Sequence, residues 1–234
     1  FHSDVARLAV AVLAFAVLVA ACGGGGSDSS AEQLVRESAE RTGEAATFHF
    51  VLDVRSAPVE STGLQLTAAE GDVVVAERAV SADVSGTFAG VSLTTQLVAI
   101  GRDVWLADPL SGDWQRLDVN TTPISLLDPA QGILGVMARV ENVADDGAEE
   151  VGGVTARRVT GTVSAADVAP LVAAPSPREG DVDVTLWIGE GDKLLRRVAV
   201  TGAVGEDDGE DAVRTFEVSR YDEPVTVEPP EESG

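Results

Sequence analysis

The chain has 234 residues, 44% of them hydrophobic, and carries a formal net charge of −23. This acidic balance argues against nucleic acid as a partner, because phosphate-binding surfaces need clustered Lys and Arg. The chain contains one cysteine and two histidines. These leave no internal disulfide, thiolate metal site or His-rich metal site, so we expect no cofactor and no metal.

The first predicted element is an export signal. Residues 8–21 contain only Leu, Ala, Val and Phe, with Arg7 before them and two alanines at their end. A charged residue, an apolar run and small residues in this order are typical of a secretory signal peptide. A transmembrane anchor is an alternative, although a spanning helix needs roughly 20 apolar residues. Because the chain begins with Phe1 and its one methionine is Met137, we expect the natural start to lie upstream.

Cys22 directly follows this run and is predicted to be a lipid attachment site. Its thiol can take a diacylglyceryl thioether, and the following Gly- and Ser-rich residues are typical of a flexible tether. The arrangement resembles the lipobox of bacterial lipoproteins; an ordinary secretory signal with a chance cysteine is the alternative. We therefore expect a lipid anchor at the outer face of the cytoplasmic membrane. The predicted organisation is a signal peptide at 1–21, a lipidated Cys22 with a flexible tether at 22–30, one domain at 31–227 and an acidic disordered tail at 228–234.

The domain is predicted to begin with a helix over residues 31–44, since Ser30 and Gln33 fit a capping box. The apolar period then changes to two at Phe48, which predicts a strand with one buried face. Gly- and Asp-containing turns separate the following runs and favour hairpins. These predicted strands are Gly71 to Glu77, Ala79 to Phe88, Val91 to Ile100, Val104 to Ala107 and Trp114 to Asp118.

Two helical segments are predicted to interrupt the strands. The first follows Pro123, a residue suited to an initial helical turn. The second is capped by Asp128 and places Ile133, Leu134, Met137 and Val140 on one face. A later short helix is predicted from Ser164 through Val172, whereas acidic pairs such as Asp145-Asp146 are assigned to loops. The remaining predicted strands are Glu149 to Val151, Thr155 to Val163, Val182 to Gly189, Leu194 to Thr201 and Ala212 to Arg220.

These elements predict an α+β fold built on one large curved antiparallel sheet, a half-barrel. A sheet of about ten strands must curl, because strand twist accumulates from strand to strand. Helices are the natural cover for the concave face of such a sheet. We expect the few predicted helices to lie there.

The domain contains a series of short motifs, which in chain order are Phe48 to Phe50, Ala69 to Val73, Gly101 to Leu106, Trp114, Leu127 to Ile133, Val151 to Thr155, Val163 to Val168, Val184 to Ile188 and Gly191-Asp192. The order of these motifs resembles the LppX/LprAFG family of actinobacterial lipoproteins. The resemblance implies a half-barrel that encloses an apolar cavity under its helices. It also implies that the protein binds multi-acylated lipids or glycolipids there and carries them across the cell envelope.

A lipid cavity needs walls that exclude water from acyl chains, and small aliphatic side chains suit this role. We predict that such walls come from two neighbouring strands and from the helices. The alternative is that the same residues fill a closed core. The predicted cavity residues are Val91, Leu93, Leu97, Val104, Leu106, Leu126, Leu127, Ile133, Leu134 and Met137.

The sequence does not indicate an enzyme. His49 is the one histidine after the predicted signal, and a surface or hydrogen-bonded position in a strand is expected for it. No serine near it lies in a nucleophile-elbow pattern, and exposed carboxylate pairs lack the burial that separates catalytic pKa values. The three tryptophans are expected to serve in packing or at an interface.

Two functions therefore remain open. The first is a lipid carrier whose partners are an acylated lipid or glycolipid, the membrane through Cys22, and a lipid exporter. The second is a non-catalytic structural or interaction lipoprotein whose solid core docks a partner in the envelope. A cavity large enough for at least two acyl chains distinguishes the first from the second.

Overall fold

The computed structural model describes residues 25–55, 64–88, 90–117, 132–169, 176–206 and 208–231. Within them, the helices are α1 (Gly25–Gly43), α2 (Ile133–Met137) and α3 (Ala165–Val168). None of these helices has the length and apolar character needed to cross a membrane. The strands are β1 (Thr47–Arg55), β2 (Leu64–Val74), β3 (Ala79–Phe88), β4 (Val91–Ile100), β5 (Asp103–Ala107), β6 (Trp114–Leu117), β7 (Glu141–Val151), β8 (Val154–Ser164), β9 (Asp181–Gly189), β10 (Leu195–Thr201) and β11 (Val213–Ser219).

These eleven strands form one antiparallel sheet in the order β6-β5-β4-β3-β2-β1-β11-β10-β9-β8-β7. The sheet therefore consists of two meanders, β1–β6 and β7–β11, which follow each other in the chain. Pairing of β1 with β11 joins the meanders, from His49 opposite Ser219 to Arg55 opposite Val213. The predicted α+β half-barrel, a large curved antiparallel sheet with few helices, is confirmed.

Helix α1 begins earlier than the capping pattern predicts. It starts at Gly25 rather than after Ser30, so the segment predicted to be a flexible tether is helical from Gly25 onwards. Extending an existing helix fixes one residue for each new hydrogen bond, whereas nucleation fixes several for the first bond. Once residues 31–43 are helical, the weak propensities of Gly and Ser are therefore sufficient to extend the helix.

Two strands are longer than alternation predicts. Strand β2 begins at Leu64, seven residues before the predicted start, and β7 includes Asp145-Asp146, which were assigned to a loop. Arg157 and Arg158 in the neighbouring strand β8 form ion pairs with Asp145 and Asp146. Strand β7 lies at an edge of the sheet, where charged side chains are tolerated and discourage pairing with other chains.

Glycines within strands permit close approaches at two places in the sheet. A Cβ at Gly71 in β2 would lie 2.2 Å from the carbonyl oxygen of Ser81 in β3. A Cβ at Gly161 in β8 would lie 2.5 Å from a methyl group of Val140 and 2.7 Å from the carbonyl oxygen of Glu141. Such contacts are characteristic of glycines in strands, where a neighbouring backbone comes close.

Candidate functional site

The sheet has an inner face, which we define as the face against which the helices pack. Side chains alternate between the two faces along each strand. The inner face carries two apolar clusters, which we name the helix cluster and the strand cluster. Buried residues of the helix cluster come from α1, α2, α3 and strands β7–β11 and their loops. The buried residues of the strand cluster are Phe50, Leu52, Ala69, Val73, Val80, Ala82, Ala99 and Val104, all from strands β1–β5.

The two clusters differ in how they are covered. In the helix cluster, Val159, Leu186 and Ile188 are completely buried, and all three described helices contribute side chains. None of these described helices contributes to the strand cluster. Many of its apolar members, including Val84 and Leu97, are only half-buried. The strand cluster therefore offers accessible apolar surface that none of the described helices covers.

The predicted cavity residues in β4 and β5 lie on this inner face. Leu97 and Val104 belong to the strand cluster, and Leu106 pairs directly with Leu97. Leu93 is half-buried on the same face of β4. Val91 shares that face but is 60% exposed at the start of the strand. The predicted strand residues therefore share one face of the sheet, with Val91 at its margin.

The predicted cavity residues from the helices divide into two groups. Ile133, Leu134 and Met137 pack in the helix cluster, not in the strand cluster. Met137 is 2% exposed and forms part of a closed core. Leu126 and Leu127 lie outside the described residues, as does Cys22. The single lining predicted from strands and helices is therefore present as two separate groups in the described structure.

Aromatic residues at the junction of the two clusters were not among the predicted cavity residues. Phe48 and Phe216 contact both clusters. Phe216 in β11 stacks on Phe50 in β1, with ring centroids 5.4 Å apart and ring planes 7° apart. The alternation Phe48–Phe50–Leu52 predicts an inward face for β1, but the partner ring of Phe216 depends on the long-range pairing with β11.

A cleft of about 370 Å³ lies at one end of the helix cluster. Val140 and Val163 contribute apolar surface to it. The cleft also contains an ion pair, with Arg139 Nε 3.4 Å from Asp167 Oδ1. Its polar lining suits hydroxyl or charged groups rather than acyl chains. The complete lining is Ala138, Arg139, Val140, Glu141, Thr162, Val163, Ser164, Asp167 and Asp181.

His49 lies on the outer face, where carboxylates and a guanidinium hold its ring. Its Nδ1 is 2.8 Å from Asp72 Oδ1, and its Nε2 is 3.3 Å from Glu70 Oε1. Arg220 also reaches Nδ1 and Asp72. The hydrogen-bonded strand position expected for His49 is therefore present, and the ring ties β1 to β2.

Two of the tryptophans pack on the outer face. Trp187 donates a hydrogen bond from Nε1 to Glu149 Oε2 at 3.0 Å, and the Arg197 guanidinium lies 5.2 Å from its ring. Trp105 is buried with Val227 of the C-terminal segment. At the β7 edge of the sheet, a hydrogen bond from Arg157 holds the pKa of the Asp145 carboxyl below its usual range. The two tryptophans are therefore packed against neighbouring side chains of the sheet.

The family model for LppX_LprAFG lipoproteins matches residues 30–227. The chain belongs to the LppX/LprAFG family. The resemblance based on the order of its motifs is thereby confirmed. In this LppX/LprAFG chain, the motifs Phe48 to Phe50, Ala69 to Val73 and Gly101 to Leu106 lie in or next to strands that form the strand cluster.

Relatives of this LppX/LprAFG chain include the lipoarabinomannan carrier protein LprG of Mycobacterium leprae. The identity is 27% over 225 residues, covering 92% of this chain and 91% of that protein. LprG of Mycolicibacterium smegmatis is 31% identical over 195 residues, covering 77% of this chain and 79% of that protein. The crystal structure of LprF from Mycobacterium bovis matches with a TM-score of 0.69 and 20% identity, over 90% of this chain and 100% of that one.

Proposed function

We propose that this protein is a membrane-anchored lipoprotein that carries multi-acylated lipids or glycolipids across the cell envelope. Its acyl-binding surface is the strand cluster, enclosed as an apolar cavity. Membership in a lipoprotein family and relatives named as lipoarabinomannan carriers support this function. The observation that carries the proposal is a contrast on one face of the sheet: all three described helices pack in the helix cluster, and none of them packs on the half-buried side chains of the strand cluster.

The energetics of lipid transfer require such a surface. Each exposed methylene group costs about 0.8 kcal/mol, so an acyl chain of roughly sixteen carbons in water costs on the order of 12 kcal/mol. The strand cluster includes the small side chains of Ala69, Ala82 and Ala99. Their size leaves room for an acyl chain above them. Aliphatic side chains impose few directional demands, so chains of varied structure can bind there.

The anchor in this proposal is a diacylglyceryl group on Cys22. Helix α1 begins three residues later, at Gly25, and continues to Gly43. Its residues Ala31 and Val35 are buried in the helix cluster. An anchor at Cys22 would therefore hold the domain close to the outer face of the cytoplasmic membrane, where a lipid exporter can deliver the cargo.

Native mass spectrometry of the mature protein from an actinobacterial host tests the carrier function. We expect a population bound to a lipid with at least two acyl chains, which solvent extraction should release. A protein that carries no lipid and takes up none on addition would refute the proposal. That outcome would leave the docking of an envelope partner as the function.

Substitution of Leu97 provides a matched test within the same experiment. Leu97→Trp fills space above the strand cluster. We expect lipid affinity to fall about fivefold or more, since overpacking typically costs ~1–3 kcal/mol. Gln96→Trp is the control, because Gln96 is exposed on the opposite face of the same strand. Val91→Trp should have a smaller effect, because most of the Val91 side chain is already exposed.

A further inference from the structure

Aromatic rings stand where the two meanders of the sheet meet. Strands β1 and β11 pair at this junction, with Leu52 opposite Phe216 and Phe50 opposite Val218. Since both strands direct alternate side chains to the inner face, the rings of Phe50 and Phe216 meet diagonally across the strand pair. Their stacked arrangement, with centroids 5.4 Å apart, forms a continuous ridge between the strand cluster and the helix cluster.

A second aromatic pair extends this ridge along β1. The rings of Phe48 and Tyr221 lie 6.3 Å apart and are tilted by 47°. The hydroxyl of Tyr221 donates a hydrogen bond to the carbonyl oxygen of Leu195 at 2.6 Å, so this pair is fixed to β10. We name the set of Phe48, Phe50, Phe216 and Tyr221 the aromatic wall.

The two sides of the aromatic wall differ in the size and packing of their side chains. On one side, the strand cluster has small side chains at Ala69, Ala82 and Ala99. On the other side, Val198 and Val218 are each 4% exposed and belong to the helix cluster. Phe48 and Phe216 contact both sides and are themselves only half-buried. Their accessible ring surface is available to a ligand that lies on the strand cluster.

We propose that the aromatic wall is the end stop of the acyl-binding surface, and that it limits the length of acyl chain this carrier accommodates. The inference rests on the proposed function, in which acyl chains lie on the strand cluster. A chain that extends across the strand cluster meets the half-buried ring of Phe216, which stacks on the buried ring of Phe50. Further methylene groups cannot enter the helix cluster, because closely packed aliphatic side chains already fill it.

This arrangement gives a defined dependence of affinity on chain length. Each additional methylene group that becomes buried strengthens binding about fourfold. Affinity should therefore rise with chain length until the chain end reaches the wall, and then level off. Phe216→Ala removes one ring of the stack and opens space toward Val198, its partner in β10. The affinity of this variant should continue to rise beyond the length at which the wild type levels off.

The test uses the full mature protein and phosphatidylcholines whose two saturated chains differ only in length. Each lipid competes with a fluorescent diacyl lipid for binding to the wild type and to Phe216→Ala. We expect the plateau to occur at a longer chain in Phe216→Ala. Val159→Ala in β8 is the control, because Val159 is completely buried within the helix cluster and lies three strands from β11. Its void lies away from the wall, so its plateau should equal that of the wild type.

The possible results separate the wall from the carrier function. If the wild type binds these lipids and the plateau of Phe216→Ala is unchanged, the end stop is refuted and the carrier function remains. A wild type that binds none of the lipids, including those extracted from its own host, refutes both. Should Phe216→Ala fail to fold, Phe216→Leu keeps more of the core filled and should shift the plateau in the same direction by a smaller step.

Discussion

Tyr221 shows how one side chain connects distant parts of this fold. Its hydroxyl bonds to the carbonyl oxygen of Leu195, whose backbone N–H donates to Thr42 Oγ1 at 3.1 Å. The Arg196 guanidinium lies 5.6 Å from the Tyr221 ring. These contacts join the C-terminal segment, β10 and the end of α1. Burial is the main cause that raises the pKa of the Tyr221 hydroxyl far above its usual range.

This raised pKa predicts a loss of stability in alkaline solution. An unfolded tyrosine ionises with a pKa of about 10, whereas the folded state keeps Tyr221 neutral to much higher pH. Tyr221 therefore contributes its full stability below pH ~10, and this contribution declines as the pH rises towards the folded pKa. Because the chain has one tyrosine, tyrosinate absorbance reports this group alone and should appear together with unfolding. Titration of the folded protein near pH ~10 would contradict the expectation.

Tyr221→Phe is the matched variant for this measurement. It removes the hydroxyl and keeps the ring that packs against Phe48. We expect it to lower the free energy of unfolding at neutral pH by about 1 kcal/mol, the usual contribution of one hydrogen bond. Its stability should fall less steeply above pH ~10, because the ionising group is absent.

Strand β2 depends on a glycine where it lies close to β3. A Cβ at Gly71 would approach the Ser81 carbonyl oxygen to 2.2 Å and the Cα of Ala82 to 2.7 Å. The obstruction is backbone, so no side-chain rotation relieves it. Gly71→Ala must therefore separate the two strands locally.

We expect Gly71→Ala to lower the free energy of unfolding by about 1–3 kcal/mol, the typical cost of overpacking. Gly191→Ala is the control, since a Cβ there has no heavy atom within 4 Å and Gly191 does not have a left-handed φ. Its effect should stay within about 0.5 kcal/mol. Urea denaturation of both variants measures the difference, and equal stabilities would show that β2 and β3 can relax around the methyl group.

The sequence predicts a strand most accurately where apolar and polar residues alternate clearly. The predicted ranges 79–88 and 91–100 coincide with β3 and β4, because both strands lie inside the sheet and direct apolar residues inward. For strand β7, the sequence predicts only residues 149–151 as a strand. This strand lies at the edge of the sheet and is rich in carboxylates, so it lacks apolar alternation. Its ion pairs with Arg157 and Arg158 depend on strand pairing, which local periodicity does not indicate.

At the scale of the whole molecule, the candidate site is only partly predictable, because local periodicity does not indicate which distant elements meet. Alternation placed Leu97 and Val104 on one face, and the structure has both in the strand cluster. It did not indicate which half of the sheet the helices cover, so Met137 was assigned to the same lining although it lies in the helix cluster. The aromatic ridge requires Phe50 and Phe216 to meet through β1 and β11, which are far apart in the chain.

The proposed function involves two separable lipids, one covalent at Cys22 and one exchangeable on the strand cluster. We expect Cys22→Ala to lose the diacylglyceryl adduct, because no thiol remains to form the thioether. The exchangeable lipid should persist, since the described residues of the strand cluster lie at position 48 and beyond.

Denaturing and native mass spectrometry of one preparation distinguish these two lipids: denaturation removes the exchangeable lipid and retains the covalent adduct. Ser27→Ala is the control, because it changes a nearby residue and keeps the thiol. An acyl adduct that survives in Cys22→Ala would place the attachment elsewhere. Loss of the exchangeable lipid together with the adduct would mean that loading depends on anchoring, because the domain then receives cargo only while it is held at the membrane.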